Sequence, residues 1–376
     1  MTDDPSQAPN SPHPAGSRPA TYQAEAASSG GRSATPQGSP PVYVVQKGSW
    51  LGGYINWFGW MLAGICLIAM MGLYQARTDY FDNSGGIQEK YHSLSKTAAN
   101  KIAVIQATGV IMSGDGFVKK QIDRIRDDDK VKGIVLRVDS PGGTVYGSDF
   151  MYHHLVKLRE ELKVPMVVSM GSTAASGGYY IAMAVGDQEQ VIYAEPMTTT
   201  GSIGVIIPHY NVSGLMEKLD VEEDSIATHP RKNMLSMTQP MTDDDREVIG
   251  KYIGHAFDRF KDIIKSGRPN FKSDPDALDV LATGEVFTAK QALESGLIDE
   301  IGFIEDAIDR AVELAGLDKK KTRVVTYTQP VSLADVLTFA KAREPDMISQ
   351  LAQVSSAKAW YLSTPVLPTV LGATKD

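Results

Sequence analysis

The sequence predicts an α/β fold with a largely parallel sheet and flanking helices, preceded by one transmembrane helix. Two observations carry this expectation. Between residues 101 and 314, short β-branched runs alternate with helical stripes, the pattern that lays helices against parallel strands. Ahead of them stands an uncharged apolar run, Trp50 to Tyr74. A chain of 376 residues, 42% hydrophobic and 22% charged, is also long and apolar enough to bury a sizeable core.

Residues 1–45 are rich in Pro, Ser, Gly, Ala and Gln and bury too little apolar surface to offset ordering entropy, so a disordered tail is expected. Residues 50–74 carry no charge and, at about 1.5 Å per residue, match a bilayer core of about 30 Å. Trp50, Tyr54, Trp57 and Trp60 at one end and Tyr74 at the other fit interfacial aromatic belts. A cleaved signal peptide would begin near residue 1 behind a basic segment, whereas this run begins at position 50 and leaves through LYQAR, so a permanent span is expected. Arg32 and Lys47 before it balance Arg77 and Lys90 after it, and charge alone does not orient it. Residues 75–100 read as a polar connector.

The domain proper is expected over 101–320. Lys101 to Ile111 reads as a buried strand, followed by a helix with Val118, Ile122 and Ile125 on one stripe. Gly133 to Val138 is a second strand, broken at SPGG and followed by a helix carrying Met151, Leu155 and Leu158. Val164 to Met170 is a third, ending at GSTAASGG before the helix-like GGYYIAMAV. Val191 to Ala194 and Ile203 to Ile207 are strand-like. Thr242 and Asp245 have capping-box spacing and open a long helix with Val248, Ile249, Tyr252, Ile253, Ala256, Phe260 and Ile264 on its apolar face. Helices around Lys290 to Ser295 and from Glu305 to Leu314 close the domain. Residues 321–376 form a C-terminal extension with a strand-like RVVTYT and a helical SLADVLTFAKA.

Several functions are excluded early. The net charge of −8 is spread along the chain, and no basic cluster interleaves with aromatics, so no nucleic-acid partner is expected. The single cysteine, Cys66, rules out an intrachain disulfide framework and a Cys-based zinc site. No GK[ST] follows either Gly-rich break, which excludes a P-loop.

The chemistry concentrates in those two breaks, where strands end and helices begin. In RVDSPGG, Pro141 fixes a turn, and Gly142 and Gly143 permit close backbone approaches whose amides can stabilise an oxyanion; a tight turn with nothing bound explains the same residues. In GSTAASGGYY, Ser176 sits where a helix dipole is positive, with Gly177 and Gly178 leaving its hydroxyl accessible. That suits a nucleophile, and it equally suits a helix N-cap. A nucleophilic serine needs a base. Of the seven histidines, His13 lies in the tail, His92 in the connector and His153 and His154 on the helix after SPGG, while His209, His229 and His255 lack a surrounding motif, so a Ser-His-Asp triad has no sequence support.

With RVDSPGG, GSTAASGGYYIA, TGSIGV, ATHPRKNMLS before MTDDD, and GEVFTAKQALESGLIDEIG in this order, the chain resembles the signal peptide peptidase A family of serine peptidases, of ClpP/crotonase-like fold, from about Ile102 to Leu317. The resemblance implies Ser176 as nucleophile, Lys232 as general base, Ser202 holding the lysine amine and the Gly143 amide in an oxyanion hole, with Gly142 and Gly177 shaping it. It implies no metal or organic cofactor. A free lysine holds its proton at neutral pH, with a pKa of about 10.4, and burial favours the neutral amine. Taken alone, Lys232 is an ordinary solvated lysine.

The resemblance further implies a single-pass protein of the cytoplasmic membrane, with the catalytic domain outside. It implies a ring-like homo-oligomer, leaving open whether Ser176 and Lys232 pair within one subunit or between neighbours, and signal-peptide remnants or other membrane-associated peptides as substrates. Two residues depart from the family pattern: Asp139 where Asn is common, a candidate ion-pair partner near the cleft, and Asn233 after Lys232 where Asp is common. A crotonase-like acyl-CoA enzyme and a non-catalytic membrane scaffold are the alternatives.

Overall fold

The computed structural model describes residues 50–81, 86–329 and 360–362. The expected tail over 1–45 and the segment SLADVLTFAKA lie outside the described residues. Helix α1, Trp50–Phe81, continues seven residues beyond the predicted span. Its stretch Asn56–Tyr74, mean hydropathy 1.7, is long and apolar enough to cross a membrane.

The rest is built on a nine-stranded, mostly parallel sheet. Strands β1 (Gln88–Leu94), β2 (Asn100–Thr108), β3 (Val131–Ser140), β4 (Gly142–Thr144) and β5 (Met166–Ala175) come first, with helices α2 (Phe117–Arg126) between β2 and β3 and α3 (Val145–Leu162) between β4 and β5. In β2 and β3 consecutive residues are buried, Ile102 to Ile105 and Gly133 to Leu136, which requires cover on both faces. Val118, Ile122 and Ile125 of α2 and Met151, Leu155 and Leu158 of α3 are buried, as their spacing predicts.

Helix α4 (Gly177–Ala182) follows β5, then β6 (Ile192–Ala194) and β7 (Thr199–Gly201). The strand expected over Ile203–Ile207 is not there. The chain leaves the sheet after β7 because Gly201 and Ser202 have φ of 77° and 50°, outside the strand region. Helices α5 (Ser213–Lys218), α6 (Asp243–Gly267), α7 (Pro269–Ser273) and α8 (Pro275–Leu281) lead to β8 (Val286–Thr288), α9 (Ala289–Glu294), β9 (Glu300–Ile301), α10 (Ile304–Leu314) and β10 (Thr322–Thr328).

The sheet runs β1-β10-β2-β3-β5-β6-β9, with β7 on the later half of β5 and β8 on β7. Only β1–β10 and β7–β8 are antiparallel within it. The sheet therefore reaches past 101–320 at both ends: β1 comes from the expected connector, and β10, the RVVTYT segment, inserts between β1 and β2. Lys101 fixes that edge, bonded to Asp128 at 2.7 Å and to Glu89 of β1. A last strand, β11 (Trp360–Leu362), pairs antiparallel with β4 in a separate two-stranded sheet.

The capping box at Thr242 forms as expected, with Thr242 Oγ1 accepting from Asp245 N–H and the Asp245 carboxylate from Thr242 N–H, both at 3.1 Å. Only the far half of α6 enters the core, through Phe260, Ile263, Ile264 and Gly267. Val248, Ile249 and Ile253 are half-buried and Tyr252 is 55% exposed, so the near half of the apolar face is only partly covered. From Gly204 to Arg259 no residue is buried.

Candidate active site

Strand β3 ends at Ser140, and Pro141 with Gly142, at φ 101°, turns the chain so that β4 runs beside Ile111. Ile111 N–H donates to the Gly142 carbonyl and Thr144 N–H to the Ile111 carbonyl, each at 2.8 Å. A Cβ on Gly143 would overlap the Ile111 carbonyl oxygen, so this close approach requires glycine. Because Ile111 uses the groups on either side, the N–H and C=O of Gly143 face the opposite edge of β4.

Strand β5 delivers the serine. Its first half pairs with β6 and its second with β7, and opposite β3 the register jumps from Val138↔Met170 to Ser140↔Ala174. The extra length of β5 is held by Asp139, whose carboxylate accepts from Ser172 Oγ at 2.8 Å and Thr173 N–H at 3.0 Å. Asp139 is thus hydrogen-bonded and not the ion-pair partner expected; Arg137 pairs instead with Glu195. A bulge of this kind re-aims the strand that carries it.

Ser176 follows directly, at φ 54° and ψ −115°, a conformation that costs a non-glycine residue on the order of 1–3 kcal/mol. Its N–H donates to the Gly201 carbonyl at 2.7 Å. It occupies the N-cap position of α4, yet its side chain makes no capping hydrogen bond. The hydroxyl is buried without a partner, in a residue 1% exposed. The capping role that local chemistry allowed is therefore unused, and Ser176 Oγ bonds to none of the described histidines.

Around it, the first Gly177 lies against β4: a Cβ there would come within 3.1 Å of Gly142 Cα and Gly143 N. Ser202, 6% exposed at φ 50°, follows the Gly201 that holds the Ser176 amide, and its own N–H donates to Glu285 O at 2.6 Å. Helix α4 is anchored by Tyr179 Oη donating to Leu297 O at 2.7 Å and Tyr180 Oη donating to Asp149 at 2.5 Å. Burial pushes the Tyr179 phenol far above its ordinary range and keeps it a neutral donor.

The structure thus brings together Ser176, Gly142, Gly143, Gly177 and Ser202. It does not bring Lys232 into hydrogen-bond distance of Ser176 Oγ within one chain. Lys232 is exposed on a 3-10 turn, Pro230–Asn233, inside the stretch without buried residues. Its neighbour Arg231 turns to Asp244 of α6 through two bonds of 3.0 Å. Sequence reasoning missed Ser148: it is fully buried on α3, its Oγ has no partner, and a Cβ on Gly177 would overlap it. Nothing in the GSDF sequence around it signals that proximity.

Fold and site together define an α/β protein that presents a strained, buried serine between a strand end and a helix N-terminus, beside glycine amides. Residues 159–318 match peptidase family S49. A Synechocystis protein named "Putative protease slr0021" is 35% identical over 258 residues, 69% of this chain and 90% of its own. "Putative signal peptide peptidase SppA" of Enterococcus faecium is 40% identical over 189 residues, 50% of this chain and 53% of its own. "Protease 4" of Salmonella typhi is 37% identical over 224 residues, 57% of this chain and 35% of its own. The chain belongs to peptidase family S49. It spans about half the length of the Enterococcus relative and about a third of Protease 4.

Proposed function

We propose that this chain is a membrane-anchored serine endopeptidase that cleaves signal-peptide remnants or other membrane-associated peptides with a Ser176–Lys232 dyad. The observation that carries the proposal is Ser176 itself: strained, buried and unbonded beside the Gly143 amide. Strain and an unsatisfied hydroxyl both cost stability, and they collect where chemistry needs them. The names of the relatives support the reaction class, and α1 supports the anchor. The proposal places the catalytic domain outside the cytoplasmic membrane.

In the proposed reaction Ser176 Oγ attacks the peptide carbonyl carbon while its proton passes to Lys232 Nζ. The carbonyl oxygen becomes an oxyanion, stabilised by the Gly143 N–H and backbone beside Gly177. Lys232 returns the proton to the leaving amine as the C–N bond breaks. Water then attacks the acyl-serine, giving up its proton to Lys232, and the released Ser176 regains one.

The base reaches the site from a neighbouring copy in a ring-like homo-oligomer. An exposed ammonium does not accept protons at neutral pH; cover supplied by a neighbour would remove water and favour the amine. The uncovered apolar residues of the 204–259 stretch, among them Leu215, Leu219, Ile226 and Tyr252, are what such a neighbour would cover. The test is hydrolysis of a signal peptide by the full chain in detergent. Wild type cleaves it, and Ser176→Ala and Lys232→Ala do not. Unchanged cleavage by both variants removes the dyad.

A further inference from the structure

Ser140, Thr144 and Thr200 show how this chain satisfies buried hydroxyls. Ser140 Oγ accepts from Gly142 N–H at 3.1 Å, Thr144 Oγ1 donates to Met112 O at 2.9 Å, and Thr200 Oγ1 donates to Ala174 O at 2.7 Å. Among the described residues, the serine hydroxyls shut away from solvent with no partner are those of Ser176 and Ser148. A buried hydroxyl left unpaired costs stability, and two in one place call for a physical reason.

The two meet at Gly177. Ser176 precedes it in the chain, and a Cβ on Gly177 would lie 2.4 Å from Ser148 Oγ and 3.1 Å from Gly143 N. Ser148 Oγ and the Gly143 amide therefore flank the same point on Gly177, close enough for one oxygen atom to bond to both. Ser148 lies on the buried stripe of α3 with Met151, Leu155 and Leu158, a place that suits an apolar residue. A helical serine can turn its hydroxyl to the carbonyl one turn back, and Ser148 does not. The next residue fixes its position: Asp149 accepts from Tyr180 Oη and from Arg259 Nη2 at 3.0 Å, which ties α3 to α4 one turn beyond Gly177.

We infer that Ser148 is a further catalytic residue, a side-chain donor that completes the oxyanion site beside the Gly143 amide. The inference rests on the hydrolase proposed above. When Ser176 Oγ bonds to the peptide carbonyl carbon, the carbonyl oxygen is held on that same carbon, beside Gly177, and becomes the acceptor that Ser148 lacks. Ser148 donates a hydrogen bond and keeps its proton, while the proton of Ser176 passes to Lys232. The unpaired hydroxyl destabilises the resting fold and is relieved as the oxyanion forms, so it lowers the barrier.

The test is Ser148→Ala in the full chain in detergent. Its thermal midpoint should be no lower than that of wild type, because the substitution removes an unpaired buried hydroxyl and alanine suits a helix better than serine. Peptide cleavage should slow by roughly 10- to 100-fold in kcat with KM within about twofold, as loss of an interaction made only in the transition state predicts. A peptide aldehyde, whose adduct with Ser176 carries an oxygen in the oxyanion position, should bind more weakly by about the same factor. In a Ser176→Ala background, the uncleaved peptide should bind equally with and without Ser148→Ala.

Unchanged kcat and unchanged aldehyde affinity in a cleaving enzyme overturn the inference and leave the hydrolase standing. A slower enzyme with a lower midpoint, or a loss carried by KM, makes Ser148 a packing or substrate-binding residue and overturns it as well. If wild type cleaves no peptide and binds no aldehyde, the hydrolase proposal fails and the role of Ser148 falls with it.

Discussion

Two regions of this chain follow opposite rules. At the end of β5, the positions of Ser176, Gly143 and Gly177 are determined within one chain, by ladder bonds, a bulge held by Asp139 and a buried helix α4. From Gly204 to Arg259 there is no buried residue, and Lys232 stands on an exposed turn. The first region is complete as a fold and incomplete as chemistry, since its hydroxyl has no partner. The second holds the proposed base and lacks the cover that would give it a fixed place. Under the proposed reaction, each region supplies what the other lacks, and a second copy of the chain brings them together.

The largest expected effect removes the complete half. Ser176→Ala should lower kcat on peptides by about 10⁴-fold or more, the scale on which nucleophile loss acts in serine hydrolases. Ser176→Gly should be as inactive yet more stable, because glycine relieves the positive φ, by about 1 kcal/mol or more. Thermal unfolding of the two variants checks this. A glycine variant no more stable than the alanine one would mean that the backbone at 176 is unstrained.

The comparison is sharpest in a mixture. Ser176→Ala and Lys232→Ala, each inactive, are co-assembled at equal amounts. If serine and lysine come from adjacent copies in a ring, about a quarter of the sites receive both, and about a quarter of wild-type activity returns. A dyad formed within one chain returns none.

Next in size is Gly143→Ala. Its Cβ overlaps the Ile111 carbonyl oxygen, so β4 has to move, at about 1–3 kcal/mol in unfolding free energy. Displacing the proposed oxyanion donor should cost about 10²-fold in kcat. In contrast, Tyr252→Glu on the uncovered half of α6 should leave the unfolding of the dissociated chain within about 0.5 kcal/mol of wild type, as an exposed site does. It should nonetheless shift sedimentation toward smaller species and lower activity with it.

The same division governs what the sequence revealed. The central strands were readable because residues such as Ile102 to Ile105 form unbroken apolar runs, which only a two-sided parallel sheet requires. The capping box at Thr242 was readable because it is a local bond pattern. Ile203–Ile207 misled because its β-branched residues resemble a strand, while the backbone of Gly201 and Ser202 turns the chain off the sheet before it. The apolar face of α6 was legible, but the sequence pattern does not distinguish burial in one's own core from burial in a neighbour's. At the site, SPGG and GSTAASGG marked the glycines and the serine. Ser148 and the pairing of Tyr361 with Gly143 depend on contacts between distant segments, and no local pattern encodes them.

The smallest effect tests whether α6 belongs to both regions at once. Thr242 caps a helix whose first turn carries Asp243, Asp244 and Asp245 and whose last turns bury Phe260, Ile263 and Ile264. Losing a cap of this type costs about 1 kcal/mol. In a helix uniformly anchored in a core, that cost would appear in global stability. Here the first three turns carry no buried residue, so the cost should be met by local fraying. Thr242→Ala is expected to speed hydrogen exchange in the first turns of α6 while the thermal midpoint of the dissociated chain stays unchanged. Assembly should suppress that fraying, because a neighbour covering Tyr252 and Ile249 holds the same turns that the cap holds. If the midpoint instead falls with the cap, the near half of α6 is part of the core's cooperative unit. The division between a self-sufficient sheet and a dependent arm would then have to be moved toward residue 242.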